Sequence, residues 1–190
     1  TVFVNPAPNA SVVTNDVCFG TLTEFTDFST VNSPDSIISW NWDLGEQLST
    51  DTNPSLIYSA PGTYDITLTL ESSSACDGFA SGQVTVNPAP IAAFTANDTC
   101  LYETTFFTDQ STVSPGSITN WSWQLGDGST SLQQNPSLTY NQDSTFSVTL
   151  VVTATGGCTD TATNSVEIYP LPEAAVSAFN VCLGEAVQFE

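Results

Sequence analysis

The chain repeats itself every 82 residues, and this repeat restricts its fold more than any other feature. The segment WNWDLG at residues 40–45 returns as WSWQLG at residues 121–126. Prolines and cysteines recur at the same interval: Pro6, Pro88 and Pro170; Cys18, Cys100 and Cys182; Cys76 and Cys158. A regular period indicates an array of similar units. This period is too long for a solenoid repeat and has the size of a small autonomous domain.

The register of the repeat divides the chain into complete and partial units. Residues 1–5 match residues 83–87, which close a unit, whereas residues 170–190 match the start of one. We therefore expect the last strand of a preceding repeat at 1–5, complete domains at 6–87 and 88–169, and the first part of a third domain at 170–190. Two prolines lie in each linker (Pro88, Pro90, Pro170 and Pro172). Paired prolines favour an extended, semi-rigid spacer.

Composition excludes several functional classes. The chain has 20 acidic residues and no Lys, Arg or His, so its formal net charge is −20. A chain without cations cannot neutralise phosphates, which excludes nucleic acid as a partner and a direct electrostatic hold on anionic lipid. No apolar run approaches the roughly 20 residues that a membrane helix requires. Like charges of this kind keep long extracellular chains apart, and salt or divalent cations would screen or bridge them.

Alternating side chains predict β-strands throughout the chain. Residues 63–71 place Tyr64, Ile66 and Leu68 on one face and polar side chains on the other, and residues 145–152 repeat this pattern. A period of two is typical of half-buried strands. Turn residues interrupt the pattern at the short spacing of a β-sandwich, so we predict an all-β fold of tandem sandwiches arranged as a rod. About seven strands are expected in each, in the first domain near residues 9–13, 21–28, 36–44, 47–50, 55–58, 63–71 and 79–87.

The repeated tryptophan segment places two indoles on one face of a strand. Such a pair could form a carbohydrate-stacking platform, but core packing is the commoner use of tryptophan in the third strand of a sandwich. We therefore predict six structural core positions: Trp40, Trp42, Trp121, Trp123, Tyr64 and Phe146. Tyr64 follows a turn from which its hydroxyl could reach nearby backbone as a tyrosine corner, and Phe146 cannot make that bond.

Together these motifs resemble one known family. The pattern W-x-W-D-[FL]-G-[DE]-G, then N-P-x-x-x-Y, then G-T-Y-x-[IV]-T-L is similar to the PKD (polycystic kidney disease) domain. The first copy carries it at Trp40, Trp42, Asp43, Leu44, Gly45, Asn53, Pro54, Tyr58, Gly62, Tyr64, Ile66, Thr67 and Leu68, and the second at Trp121, Trp123, Leu125, Gly126, Asp127, Gly128, Asn135, Pro136 and Tyr140. The resemblance implies immunoglobulin-like sandwiches of bacterial or archaeal surface proteins. Cysteine-containing arrays of this type look most like the giant adhesins of Bacteroidetes.

The residue types present argue against catalysis. There is no His, Lys or Arg to act as base or electrophile, so we predict that these residues are not an enzyme and use no cofactor. Calcium is the metal to consider, because Asp43, Glu46 and Asp127 lie in the turn after the tryptophan strand and could supply oxygen ligands. An ordinary turn, in which an aspartate side chain bonds nearby backbone, explains the same residues.

The cysteines predict disulfides, because cysteine in an extracellular-looking repeat is usually paired. Pairing within each domain would join Cys18 to Cys76 and Cys100 to Cys158. In a seven-strand sandwich, however, the first and last turns lie at opposite ends, some 20 Å or more apart, and a disulfide allows a Cα separation below about 7 Å. We therefore favour an inter-domain Cys18–Cys158 bond, with the partner of Cys182 outside the fragment. A first strand that crosses between sheets would restore the other pairing.

Three tripeptides resemble the Asp-[Ser/Thr]-aliphatic O-glycosylation motif of Bacteroidetes and mark Ser36, Ser144 and Thr161 as candidate sites. The whole pattern predicts a structural repeat array, namely the shaft of an extracellular or cell-surface filament or adhesin. Its partners would be neighbouring repeats of the same chain and other filament proteins, surface proteins or glycans. Two other functions remain open: a module that binds carbohydrate or protein, and an accessory array of a secreted hydrolase.

Overall fold

The computed structural model describes residues 5–177, 182–184 and 186, and its strands form two β-sandwiches in succession along the chain. The first contains β1 (Val17–Cys18), β2 (Thr23–Glu24), β3 (Ile37–Asp43), β4 (Leu48–Ser49), β5 (Ser55–Leu56), β6 (Gly62–Ser72) and β7 (Asp77–Asn87). The second contains β8 (Phe94–Ala96), β9 (Thr99–Cys100), β10 (Thr104–Asp109), β11 (Ile118–Gln124), β12 (Thr130–Ser131), β13 (Ser137–Thr139), β14 (Thr145–Ala154) and β15 (Thr159–Tyr169). The described residues contain no helix, and the predicted all-β fold class is confirmed.

Each sandwich consists of a larger and a smaller sheet. The larger sheets have the orders β1-β7-β6-β3-β4 and β12-β11-β14-β15-β9, and the smaller ones pair β2 with β5 and β10 with both β8 and β13. Long antiparallel ladders join β6 to β7 and β14 to β15. The short strands β1 and β9 instead run parallel to the ends of β7 and β15. This arrangement is an immunoglobulin-like sandwich.

The first expected strand differs from the prediction. Residues 9–13 form only isolated bridges, Asn9 with Thr30 and Val12 with Asp27. Between these bridges the Ser11 amide donates to the Ser29 side chain at 3.0 Å. The chain then crosses to the larger sheet and pairs there as β1. Of the predicted partial repeats at 1–5 and 170–190, residues 1–4, 178–181, 185 and 187–190 lie outside the described residues.

One apolar cluster fills each sandwich. The first comprises Phe25, Trp42, Leu44, Tyr58, Ile66, Leu68, Leu70, Val84 and Val86, and the second comprises Phe94, Phe107, Trp123, Leu125, Tyr140, Val148, Leu150, Val152, Val166 and Ile168. Trp42 and Trp123 are 2% and 0% exposed, as predicted for core residues. Trp40, Trp121, Tyr64 and Phe146 are half-buried and pack against the margins of the clusters.

Neighbouring polar residues explain why these four rings lie at the margins of the clusters. The ring N–H of Trp40 donates to Asp27 and that of Trp121 to Asp109, both at 2.7 Å, and the two indoles therefore remain at the margin beside a carboxylate. Tyr64 and Phe146 stack on buried tyrosines, with ring centroids 4.2 Å apart in each case. The Tyr64 hydroxyl also donates to the Ala60 carbonyl at 2.8 Å, as a tyrosine corner does.

Candidate functional site: the junction between the sandwiches

The junction begins with Cys18, which the crossover places at the far end of the first sandwich. Val17 and Cys18 pair in parallel with Val86 and Asn87. The Asp16 carboxylate accepts a hydrogen bond from the Thr85 amide at 3.0 Å and fixes this register. Asp98 makes the same bond to the Glu167 amide in the second sandwich at 2.8 Å. These aspartates therefore hold the cysteine-bearing segment against the last strand, a role that the sequence did not reveal.

Cys158 reaches the same place from the second sandwich. It follows the Gly156-Gly157 turn between β14 and β15, where both glycines have positive φ angles of 96° and 86°. A Cβ atom at Gly156 would overlap the Asn87 side chain, so glycine is needed for the turn to approach the end of the first sandwich. The Cys158 sulfur lies 3.8 Å from the Asn87 carbonyl oxygen, and the residue is 1% exposed.

Cys18 and Cys158 form a disulfide that spans 140 residues and joins the two sandwiches, with their Cα atoms 5.7 Å apart. The alternative pairings, Cys18 with Cys76 and Cys100 with Cys158, are absent from the structure. The first part of the chain does cross between sheets, but it then pairs with the end of β7. Cys76 instead immediately precedes the start of β7. The 11 residues of β7 separate these ends by about 36 Å.

Further contacts hold the linker against the second sandwich. The Ala92 amide donates to the Asp160 carboxylate at 2.8 Å, and Ile91 forms a backbone bridge with Thr112. Beside the linker lies a mostly apolar cavity of about 420 Å³ lined by Phe19 and Pro61 of the first sandwich together with Pro88, Ala89, Pro90, Ile91, Thr112, Val113 and Ser114. The junction is therefore closed by a disulfide, a proline linker and the hydrogen bond that Asp160 accepts.

The carboxylates considered for calcium have partners within their own turns. Asp43 accepts from the Gly45 amide and Asp127 from the Ser129 amide, each at 2.9 Å. Glu46 accepts from both the amide and the hydroxyl of Ser59 and from the Tyr64 hydroxyl. The Ser59 hydroxyl contributes most to holding the pKa of Glu46 below its usual range. Among the described residues no three or more His, Cys, Asp or Glu side chains come together as a metal site.

A second network explains the Asn-Pro motif, which the sequence marked without giving it a role. The Asn53 side-chain oxygen accepts from the Asp27 amide at 2.9 Å, and the Pro54 carbonyl accepts from the Phe25 amide. Asp27 in turn receives the Trp40 ring N–H. The second sandwich repeats every bond with Asn135, Pro136, Asp109, Phe107 and Trp121. The motif thus fastens the smaller sheet to the tryptophan strand.

The candidate glycosylation residues are accessible but do not cluster. Ser36, Ser144 and Thr161 are all exposed. Ser36 and Ser144 immediately precede β3 and β14, and Thr161 lies on the outer face of β15. Asp160, which precedes Thr161, is already engaged by the linker amide.

Comparison with known proteins identifies the repeat. A family model described as "PKD domain" matches residues 5–86 and again 87–168. A microbial collagenase of Vibrio alginolyticus is 36% identical over 128 residues, which is 64% of this chain but only 16% of the collagenase. The PKD1 domain of the Vibrio cholerae metalloprotease PrtV is 31% identical (TM-score 0.40, covering 43% of this chain and 98% of that domain). The PKD1 domain of Vibrio anguillarum Epp is 26% identical (TM-score 0.42, 44% and 96%).

These matches and the structure agree on the kind of molecule. The matched residues are PKD domains alone, which are structural or binding modules without catalytic activity of their own. Disulfides form and persist in oxidising surroundings, so the Cys18–Cys158 bond indicates an extracellular protein. Within the residues that the structure describes, no helix is long and apolar enough to cross a membrane.

Proposed function

The chain belongs to the PKD domain family, and on this premise we propose that it is a length of stiff shaft in a secreted or cell-surface filament or adhesin. The observation that carries the proposal is the disulfide between Cys18 and Cys158. A short linker alone leaves rotation between two sandwiches. A second covalent connection at the same junction removes most of that rotation.

The disulfide also changes how the chain carries tension. A pull on the two ends passes from Cys18 directly to Cys158 through the sulfur atoms. The 140-residue separation of these cysteines means that most of both sandwiches is bypassed and cannot be drawn out. A spacer that must hold its length under load benefits from this arrangement, whereas a module that only binds a ligand does not require it.

Single-molecule pulling from the two ends tests this function. Because the bypassed segment has 140 residues, about 500 Å at full extension, the oxidised chain should stop lengthening about that much earlier than the Cys18→Ser/Cys158→Ser variant. A Cys76→Ser/Cys100→Ser control retains the junction disulfide and should behave like the unmodified chain. If the oxidised chain extends as far as the serine variant, the shaft function loses its support.

A specific observation favours binding as a second function. Half-buried Trp121 lines a cavity of about 380 Å³ together with the polar side chains of Ser111, Thr112, Ser117 and Gln134. An aromatic ring among hydroxyl and amide groups is suited to a carbohydrate. Titration with soluble oligosaccharides, followed by tryptophan fluorescence, should show saturable binding that Trp121→Ala abolishes and Trp40→Ala retains. An absence of saturable change excludes this function for the carbohydrates tested.

The collagenase relative favours an accessory role instead. Its 36% identity to this chain would then reflect a shared place beside a hydrolase domain. In that case the isolated chain should co-sediment with insoluble collagen, whereas a shaft should stay in the supernatant. The junction disulfide would have no effect on such binding if each sandwich acted alone.

A further inference from the structure

The repeat gives Cys76 the same surroundings in the first sandwich that Cys158 has in the second. Each cysteine follows the turn between the two longest strands of its sandwich. The Cys76 sulfur lies 3.7 Å from the carbonyl oxygen of Asn5, and the Cys158 sulfur lies 3.8 Å from that of Asn87. Asn5 and Asn87 are equivalent positions of the repeat. Cys76 therefore has the backbone surroundings that Cys158 has at the junction.

Cys100 matches Cys18 in the same way. Cys100 pairs with Tyr169 at the end of β15, as Cys18 pairs with Asn87 at the end of β7. The next amide donates to the last-strand carbonyl at 2.8 Å in both sandwiches, Leu101 to Tyr169 and Phe19 to Asn87. Both Cys76 and Cys100 are free thiols. The two outer ends of the molecule thus carry the two complementary halves of the junction seen at its centre.

The contacts around Cys76 restrict the kind of partner that can form a disulfide with it. At the junction between the two sandwiches, Asn87, the last residue of β7, lies beside Cys158. Tyr169 is the equivalent last residue of β15, so a separate copy of the chain that bonded through its Cys100 would have to place its own Tyr169 beside Cys76. Asn5 already lies there. The space is therefore filled by this chain's own backbone, and a partner must be continuous with it.

We propose that Cys76 and Cys100 each form a disulfide with a PKD sandwich adjoining this one in the same chain. Cys76 would bond the cysteine equivalent to Cys18 in the sandwich before Asn5. Cys100 would bond the cysteine equivalent to Cys158 in the sandwich after Tyr169. Every disulfide then spans one junction, and successive disulfides overlap. This inference rests on the proposed shaft function and names the partners of its two ends.

Bond formation requires an oxidant, here a small disulfide such as oxidised glutathione. The Cys100 thiolate attacks one sulfur of that disulfide and expels a thiolate, which leaves a mixed disulfide. The thiolate of the adjoining sandwich then attacks the Cys100 sulfur and expels the second small thiol. Two protein thiols lose two protons and two electrons in total, and the small disulfide is reduced to two thiols.

Overlapping disulfides would leave almost no slack along the array. The segment from Cys76 to Cys100 runs along β7, through the linker and along the second sandwich, and its about 24 residues can reach at most about 86 Å. The strands β7 and β15 have 11 residues each, so two successive sandwiches measure about 70 Å. Tension would pass from disulfide to disulfide through segments that are already nearly straight.

Disulfide mapping of an extended chain tests the proposal. A second copy of residues 88–169 is inserted directly after Tyr169, so that Cys100 gains an adjoining sandwich while Cys76 does not. The chain is refolded in a glutathione redox buffer, cut by a protease that does not require Lys or Arg, and mapped without reduction. We expect Cys100 to lose its maleimide reactivity and to be recovered linked to the last-turn cysteine of the inserted copy. The number of free thiols should stay the same although the insertion adds two cysteines.

Two controls keep the result interpretable. A serine in place of the last-turn cysteine of the inserted copy should restore the Cys100 thiol without changing the fold. Insertion of residues 6–87 before Pro6 instead should protect Cys76 and leave Cys100 reactive, which tests the other half independently. A folded extended chain in which Cys100 stays reactive, or is bonded to another molecule, overturns the proposal. Either result leaves the Cys18–Cys158 junction and the proposed function untouched.

Discussion

The tryptophans Trp42 and Trp123 occupy equivalent core positions but differ in a single hydrogen bond. The Trp123 ring N–H donates to the Gln133 carbonyl at 2.9 Å. The Trp42 ring N–H is buried and has no partner. A buried donor without an acceptor loses its bond to water and gains nothing in return. The buried tryptophan therefore contributes a different amount to the free energy of unfolding of each sandwich.

Replacing each tryptophan by phenylalanine should expose this difference. Trp123→Phe breaks a hydrogen bond and leaves the Gln133 carbonyl unpaired, so it should cost about 1–2 kcal/mol more unfolding free energy than Trp42→Phe. Alanine at either position should cost about 3–5 kcal/mol in its own sandwich, because the cavity dominates. Urea unfolding, followed through amide signals of each sandwich, measures both. Equal losses for the two phenylalanine variants would show that the Gln133 bond contributes nothing.

Asp109 links stability to pH. Burial opposes its ionisation, but hydrogen bonds from Ser111, Gln134 and Trp121 outweigh burial and hold the pKa of Asp109 below its ordinary value. A carboxylate with a lowered pKa stabilises the fold above the unfolded pKa of about 3.9 and loses that contribution as the pH falls through the folded value. Asp109→Asn should therefore flatten the loss of stability of the second sandwich below about pH 4. Identical acid limbs for Asp109→Asn and the unmodified chain would refute the role of Asp109.

At the scale of elements, the turn after each tryptophan strand depends on glycine. Gly126 and Gly128 both have positive φ angles, 89° and 94°. Only Gly126 is crowded: a Cβ there would lie 2.9 Å from Phe146 Cβ and from the Ser147 carbonyl oxygen, whereas a Cβ at Gly128 would meet nothing within 4 Å. The turn therefore packs directly against β14.

Alanine at these two glycines separates backbone strain from crowding. Gly128→Ala should cost about 1–2 kcal/mol, the penalty for a left-handed residue. Gly126→Ala bears the same penalty and must also displace β14, so its loss should be clearly larger. Thermal unfolding of the two variants provides the comparison. Similar losses would mean that β14 moves aside freely.

The strands also show which parts of the fold can be predicted from the sequence. Long strands such as β6 and β14 were predicted within a few residues, because alternation of buried and exposed side chains is a local property. The first strand was not, because the pairing of residues 9–13 depends on contacts with Thr30 and Asp27, far away in the chain, which no local pattern records. The half-buried state of Trp40 was missed for the same reason. Its partner Asp27 lies in another predicted strand, and nothing in the local pattern marks Asp27 as the acceptor of the Trp40 ring N–H.

On the scale of the whole molecule, the architecture depends on which end of its sandwich each cysteine occupies. Repeat spacing and the length of a strand were enough to favour an inter-domain pair over an intra-domain one, and the structure contains that pair. The sequence did not supply the devices that bring the sulfurs together. These are the bond from Asp16 that sets the register of β1 and the glycine turn at Gly156. Both require knowledge of neighbours far away in the chain.

The junction disulfide closes a loop of 140 residues. Chain-entropy estimates for a loop of that size amount to about 5 kcal/mol relative to the open chain. Each sandwich nevertheless has its own apolar cluster. Loss of the disulfide should therefore free the orientation of the two sandwiches before it unfolds either of them.

Residual dipolar couplings of backbone amides test this most directly. In a Cys76→Ser/Cys100→Ser/Cys182→Ser chain, which retains the junction disulfide, both sandwiches should report one common alignment tensor. Adding Cys18→Ser and Cys158→Ser should make the two tensors diverge, while the couplings within each sandwich still fit its own fold. Two different tensors in the disulfide-bonded chain would contradict the account, because the sandwiches would then move independently with the bond in place.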